Sequence, residues 1–277
     1  MKTRFLVAPG TLWLGLFFAI PMLLMLGASV LQRGTYGGIE PGFTLEHYRR
    51  LLDPLYGGVL VRTLLWSAAA TVACLVLGYP VAWVIARSRR YRNLLLFLIV
   101  APFWTSFLVR TFALIFLLRD TGLVNSLLLA TGLVHEPVTL LYTPFAVLLG
   151  LVYGFLPFMV LPIYASLEKL DPALLEAAGV LGARPAALFR TVILPLSLPG
   201  IVAGALLVFT ASVGSFLTSD LLGGAKQVMI GNIVQNQFTT ARNWPFGSAV
   251  SIALLVLVLG TVLYTLRRRD RAEGKIS

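Results

Sequence analysis

The chain alternates between long apolar stretches and short polar segments. Each stretch has roughly the 17–25 residues that a helix needs to cross a hydrocarbon core about 30 Å thick, at about 1.5 Å per residue. The stretches are Thr11–Val30, Thr63–Ala86, Leu94–Leu118, Tyr142–Tyr164, Leu198–Phe216 and Ser248–Leu266. This pattern predicts an all-α integral membrane protein, with six transmembrane helices in a single domain over residues 1–277.

The composition agrees with this class. Hydrophobic residues make up 58% of the chain and charged residues 12%, whereas soluble proteins have about 45–50% and about 25%. The first stretch follows Lys2 and Arg4, as in a secretory signal peptide, but its apolar run exceeds the roughly 7–15 residues of such a peptide. We therefore expect it to remain as the first membrane helix.

The positions of Lys and Arg predict the orientation of the chain. Cytoplasmic loops of membrane proteins carry an excess of these residues. With the N-terminus inside, most of the 22 Lys and Arg residues fall on the cytoplasmic side, with clusters at residues 87–92 and 267–271. Both termini are therefore predicted to be cytoplasmic. The net charge of +11 then reflects topology and anionic lipid headgroups and requires no nucleic acid.

The reactive residue types give little sign of catalysis or metal binding. Cys74 is the sole cysteine, which excludes an intrachain disulfide, and we expect it to pack inside the second helix. His47 and His135 lie in different external segments and lack neighbours at metal-ligand spacing, so both are expected to be solvated. The run Gly223–Lys226 lacks the spacing and hydroxyl residue of a phosphate-binding loop. We predict no catalytic or metal site, and any ATP would be bound by another chain.

The loop between the fourth and fifth spans contains helix start and stop signals. Asp171 is a favourable N-cap and Pro172 suits the first helical position. Gly182 then predicts the end of this helix. Pro185 suits the start of a second helix, which is expected to run to about Leu194, before Pro195 and Pro199 lead into the fifth span.

The composition of this loop suggests a protein contact. Ala177, Ala178 and Gly182 carry little side chain, so another surface can approach closely, and Glu176 offers a charge to a partner. The alternative is an amphipathic helix at the membrane interface with no protein partner.

The spacing of these residues resembles a known family. Glu176-Ala177-Ala178, then Gly182 after three residues, then Val192-x-Leu194-Pro195 after nine more, is similar to the E-A-A loop of ABC importer permeases, with Val in place of the usual Ile. The resemblance implies a coupling helix that docks on the ATPase subunit. It assigns this contact to Glu176, Ala177, Ala178, Gly182, Leu194 and Pro195.

Further segments resemble the B-type permease subunits of spermidine/putrescine ABC importers. They are F-T-L-E-H-Y-R-R-L-L-D-P-L-Y from Phe43, G-Y-P-V-A from Gly78, P-F-W-T-S-F-L-V-R-T from Pro102, L-L-G-G-A-K-Q-V-M-I-G-N-I-V-Q-N-Q-F from Leu221 and N-W-P-F-G-S-A from Asn243. The resemblance implies a type I importer permease fold in the bacterial inner membrane and transport by alternating access. It also implies a second permease subunit, an ATPase dimer that binds ATP and Mg, and an extracytoplasmic binding protein.

One difference from the family concerns the substrate. Related permeases often carry an acidic residue and a proline where this chain has Ser215 and Ser219. Other members of the wider family move ferric ions, phosphonates or opines. A polyamine is the substrate that the resemblance implies, and these other solutes remain alternatives.

Five residues are candidates for the membrane path. Arg110 lies inside a predicted span, where a charge is expensive and is expected to have a partner or a transport role. Asp220 is a candidate partner for it. Trp104 and Tyr153 offer ring faces to a cationic amine, with packing as the alternative. Ser215 is the fifth candidate for the membrane path.

Two other functions remain open from the residues alone. An ion-coupled secondary transporter predicts inverted repeats and intramembrane carboxylates, and the sequence has no clear internal repeat and no acidic residue central in a predicted span. A structural or assembly subunit is the third possibility. Dependence of uptake on an ATPase partner separates the importer from the secondary transporter.

Overall fold

The structure is a computed structural model that describes residues 9–180, 182 and 184–273. The cations Lys2, Arg4 and Lys275, which enter the predicted orientation, lie outside these residues, as does Leu181 of the loop. Within the described part, six helical segments are long and apolar enough to cross a membrane, one of which, Phe107–Ala130, consists of two consecutive helices. The chain is mostly helical, as predicted.

Twelve helices and two strands, in chain order, build the described part of the chain. They are α1 (Pro9–Ser29), β1 (Leu31–Arg33), β2 (Ile39–Phe43), α2 (Glu46–Leu51), α3 (Pro54–Arg87), α4 (Arg92–Val100), α5 (Phe107–Leu118), α6 (Leu123–Ala130), α7 (Pro144–Leu167), α8 (Pro172–Val180), α9 (Pro185–Val213), α10 (Leu217–Gly223), α11 (Ile230–Thr239) and α12 (Trp244–Glu273). Short 3-10 helices follow α4 and α10.

The chain forms two compact units. The first comprises Met1–Leu60 and Ile230–Ser277. In it α1 and α2 pack on α12, and Phe246 is fully buried in a small apolar core. The antiparallel hairpin of β1 and β2, with a bulge after Leu31, corrects the all-α prediction, because its strand pattern is too short to stand out between two apolar stretches.

The structure also corrects the prediction that His47 is solvated. The residue is buried, and its Nε2 lies 3.0 Å from the carbonyl oxygen of Leu31. Tyr48 on the same helix places its hydroxyl 2.7 Å from Ser29 Oγ. The short helix α2 is therefore fixed against the end of α1 by side-chain hydrogen bonds.

The second unit comprises Val61–Met229, and α7 lies at its centre. Helix α7 begins with a capping bond, in which the backbone N–H of Ala146 donates to Thr143 Oγ1. It packs mainly against α9 and also contacts α5 and α10. Its inner face, with Leu151, Met159 and Val160, is buried together with Cys74 of α3. The sole cysteine is thus a core residue, as predicted.

The third predicted span is not one helix. Helix α4 ends at Val100, a 3-10 turn covers Ala101–Trp104, and α5 begins only at Phe107. Thr105 and Ser106 have extended ψ angles of 149° and 139°. Pro102 explains the break, because it has no N–H for the helical ladder, and Thr105 then bonds the Pro102 carbonyl oxygen through both its N–H and its hydroxyl.

The fifth span also differs from its prediction. The second loop helix was expected to end before Pro195, but α9 runs without interruption from Pro185 to Val213. A π-helical stretch at Phe189–Ile193 precedes the proline, and the N–H of Leu194 bonds the carbonyl of Phe189, five residues earlier. This wider turn lets the helix continue where the proline lacks a donor.

Candidate coupling loop and membrane path

The loop helix α8 begins as the sequence predicts. Asp171 Oδ1 accepts a hydrogen bond of 2.9 Å from the backbone N–H of Ala173, and Pro172 is the first helical residue. The helix ends at Val180, and Gly182 follows with a left-handed φ of +73°. The start and stop signals in the sequence are therefore confirmed.

Helix α8 has one attached side and one open side. Leu175 is half-buried and packs against the core of the second unit. Leu174 is 51% exposed and Val180 is 89% exposed, and Glu176 is exposed between them. An exposed apolar surface that carries one carboxylate is typical of a protein contact site.

The remaining loop residues fall into two places. Ala178 is half-buried in α8, and Gly182 is exposed in the turn. Ala177 belongs to the same helix, and its side chain is outside the described part of the structure. Leu194 and Pro195 lie in the long helix α9. The structure thus brings four of the six predicted residues together in one short segment and puts the other two on a separate helix.

The start of α9 is held against α3. The rings of Tyr79 and Phe189 meet edge to face at 5.6 Å, and Tyr79 Oη lies 3.0 Å from Ser197 Oγ. Beside this contact lies a cleft of about 460 Å³ lined by Trp83, Arg87 and Leu188 among others. The second half of the loop is therefore part of the helical core rather than a free segment.

Arg110 lies buried on α5 between two aromatic rings. Its Cζ atom is 4.6 Å from the ring centroid of Phe103 and 5.6 Å from that of Phe107. Its Nε and one terminal nitrogen are buried without a hydrogen-bond partner. Within the described residues it makes no ion pair with Asp220, the partner considered from the sequence. The ring faces supply the observed electrostatic contact.

The other path candidates occupy neighbouring elements. Tyr153 on α7 is 41% exposed, and Asp220 on α10 is exposed. Ser215 Oγ donates to Thr218 Oγ1 at 3.1 Å, just before α10. Trp104 is 75% exposed at the end of its 3-10 turn. Because α7 packs against both α5 and α10, and α5 packs against α10, the helices that carry Arg110, Tyr153 and Asp220 lie side by side.

The sequence interpretation missed two features of these sites. Phe107 precedes Arg110 by three residues on the same helix, a spacing that places the two side chains on one face. Phe103 lies before the break between α4 and α5, so helical spacing gives no signal for its contact with Arg110. The second feature is an ion pair between Arg92 and Glu168, which has no local signal because the two residues belong to different helices.

These features define a helical membrane protein with an exposed loop helix. Residues 75–269 match the family of binding-protein-dependent transport system inner membrane components. The chain belongs to this family and is a permease subunit of an ABC transporter in the bacterial inner membrane. Permease subunits are not catalytic, and ATP hydrolysis takes place in a separate chain.

Several relatives match nearly the whole chain. The spermidine/putrescine transport system permease protein PotB of Escherichia coli (strain K12) is 48% identical over 264 residues, which cover 95% of this chain and 96% of that protein. PotB of Haemophilus influenzae is 47% identical over 265 residues, with 95% and 93% covered. The inner membrane ABC transporter permease protein YdcU of Escherichia coli is 32% identical, with 92% and 86% covered.

A solved structure shares the fold. A chain of a bacterial ABC transporter involved in the import of the acidic polysaccharide alginate superimposes with a TM-score of 0.75, covering 98% of this chain and 96% of that chain, at 20% sequence identity. A chain of a bacterial alginate ABC transporter in complex with an alginate pentasaccharide-bound periplasmic protein gives a TM-score of 0.73 at 21% identity, covering 98% of this chain and 96% of that chain.

Proposed function

We propose that this permease subunit imports the polyamines spermidine and putrescine. The observation that carries the proposal is the 48% identity to a spermidine/putrescine permease over 95% of the chain. An alignment that covers 95% of the chain reaches into every membrane helix. The two compact units would act together as one permease domain.

The working importer would contain further chains. They are a second permease subunit, an ATPase dimer that binds ATP and Mg, and an extracytoplasmic binding protein that delivers the polyamine. The family description supports the last partner, since transport in this family depends on a binding protein. Both termini and the loop with α8 would face the cytoplasm, where ATP is available, in the manner of a type I importer.

The exposed side of α8 would dock on the ATPase. Glu176, Ala177, Ala178 and Gly182 would form the contact, and Leu194 and Pro195 would support it from the start of α9. Closure of the ATPase dimer would move the docked loop and shift the two permease subunits between inward-open and outward-open states. Support comes from the cap at Asp171 and from the half-buried Leu175, which packs against the core and restrains the loop.

The path would run beside α5, α7 and α10. Tyr153, Asp220 and Ser215 would lie along it, with Trp104 near its edge. Arg110 would serve the structure of this region, because its guanidinium is buried against Phe103 and Phe107 and a free cation in the path would repel a polyamine.

Uptake in cells tests the proposal. The chain and its co-purifying partners are expressed in a bacterial strain that lacks polyamine import, and uptake of radiolabelled spermidine is measured. We expect saturable uptake that unlabelled putrescine inhibits and that ferric ion, a phosphonate or an opine does not. Uptake of one of these other solutes without polyamine uptake would contradict the substrate. Uptake that persists when the ATPase chain is inactivated would contradict the importer mechanism and favour an ion-coupled transporter.

A further inference from the structure

Arg92 is held by three contacts at the start of α4. Its guanidinium forms an ion pair with the carboxylate of Glu168, and its Nε donates a hydrogen bond of 2.6 Å to the Tyr164 hydroxyl. Its Cζ also lies 5.5 Å from the centroid of the Tyr164 ring. A planar guanidinium with several partners is fixed in direction as well as in position.

The location of this cluster connects it to the loop. Glu168 directly follows the last residue of α7 and precedes Asp171, the cap of α8, by three residues. On the α7 side, Tyr164 and Leu167 are only 8% and 4% exposed. On the other side, α8 is largely exposed. The cluster therefore lies at the junction between a rigid membrane helix and the loop.

The partial exposure of the ion pair between Arg92 and Glu168 argues against a purely stabilising role for it. The side chains of Arg92 and Glu168 are 38% and 37% exposed, and ion pairs at that exposure add little to the free energy of folding because water screens them. Three neighbouring arginines, Arg87, Arg89 and Arg90, have no carboxylate partner within the described residues. A single ordered pair at the loop junction is better explained by the geometry that it imposes.

We propose that Arg92, Tyr164 and Glu168 form a clamp that positions the start of α8 relative to α4 and α7. These three are positioning residues for transport, and the inference rests on the proposed docking of α8 on the ATPase. With the clamp closed, movement of α8 is passed to two membrane helices. With the clamp broken, residues 169–171 absorb part of that movement, and ATP is hydrolysed with less transport.

The test uses the whole importer reconstituted in proteoliposomes, with uptake of labelled spermidine and ATP hydrolysis measured together. For Arg92→Gln and Glu168→Gln we expect uptake per ATP to fall about fivefold or more, the range of a modest coupling free energy. Tyr164→Phe keeps the ring and removes only the hydrogen bond, so its loss is expected to be smaller. The exchange of charges, Arg92→Glu with Glu168→Arg, is expected to recover part of the lost uptake.

Arg89→Gln is the matched control, since it removes an arginine charge three residues before Arg92, in the connection between α3 and α4. It is expected to leave uptake per ATP unchanged. The clamp is overturned if Arg92→Gln and Glu168→Gln behave like this control, or if the charge exchange recovers nothing. Should the single variants fail to fold, Tyr164→Phe and the charge exchange still decide the question.

A separate variant distinguishes failure of the clamp from failure of the docking proposal. Glu176→Lys is measured in parallel, and we expect it to reduce co-purification of the ATPase. Full co-purification and uptake in Glu176→Lys would remove the docking proposal itself. A defect in Glu176→Lys with none in Arg92→Gln would leave docking intact and reject only the clamp.

Discussion

Gly182 shows what a single residue contributes to the loop. Its φ of +73° is strained for residues with a side chain, and a Cβ placed on it would meet no atom within 4 Å. The requirement for glycine is therefore set by the backbone turn after α8 and not by crowding within the chain. Gly132 has the same properties, with φ of +69° and open space, at a place far from the loop in sequence.

The pair of glycines allows a controlled prediction. Gly182→Val and Gly132→Val are both expected to lower the free energy of unfolding by about 1–2 kcal/mol, because both force a side chain into the left-handed region. Only Gly182→Val is expected to lower spermidine uptake severalfold, since only Gly182 lies on the proposed docking surface. Thermal unfolding in detergent and uptake in proteoliposomes measure the two effects. Equal loss of uptake in both variants would reduce the role of Gly182 to backbone strain.

Arg110 shows where residue identity and environment diverge. The sequence correctly marks it as an unusual intramembrane charge, and from the sequence alone Asp220 is a reasonable partner. In the structure the guanidinium lies instead over Phe103 and Phe107. A charge inside a membrane helix is costly unless other groups stabilise it. Which groups stabilise Arg110 depends on how α5 packs.

At the level of helices, close packing of α7 and α9 depends on two glycines one turn apart. Gly200 and Gly204 are buried and face the backbone of α7. A Cβ at Gly204 would lie 2.9 Å from Met159 Sδ and 3.1 Å from the Met159 carbonyl oxygen. The spacing G-x-x-x-G lets membrane helices approach closely, so the sequence contains a local signal for this contact.

Enlarging Gly204 is expected to separate these helices. Gly204→Leu should lower the free energy of unfolding by about 1–3 kcal/mol, the usual cost of overpacking. Gly260→Leu on α12 is the control, because a Cβ at Gly260 meets nothing within 4 Å, and we expect its stability to be unchanged or slightly higher. Unfolding of the purified protein in detergent measures both. Equal stability of the two variants would show that α7 and α9 do not pack through Gly204.

Pro102 and Pro195 show why helix bounds are hard to predict. Both lie in apolar sequence, yet the chain breaks after Pro102 and continues as a helix through Pro195. The loss of one N–H donor is the same in the two cases. At Pro195 a π-helical turn precedes the proline and the helix continues. After Pro102 the chain leaves the helix, and the hydroxyl of Thr105 bonds the carbonyl oxygen of Pro102.

For the chain as a whole, orientation in the membrane is testable with cysteines. Cys74 is fully buried and is expected not to react with a membrane-impermeant maleimide. In spheroplasts we expect the reagent to label His135→Cys and to spare Arg89→Cys until the membrane is disrupted, because Lys and Arg accumulate on the cytoplasmic side. The reverse pattern would invert the proposed topology, and the parent chain serves as the unlabelled control.

The sequence by itself determined the class of protein, the number of membrane helices, and the cap and stop of α8. Each depends on short-range physics: an apolar stretch must match the thickness of the bilayer, and Asp171 and Gly182 act on their own backbone. Only the tertiary structure decided how α9 continues through the loop, which rings surround Arg110, and that Arg92 pairs with Glu168. The pair of Arg92 and Glu168 joins residues distant in the chain, a contact that helix packing creates and local sequence does not encode. The other two depend on whether the backbone breaks or continues near Pro102 and Pro195, which the loss of one N–H donor leaves open.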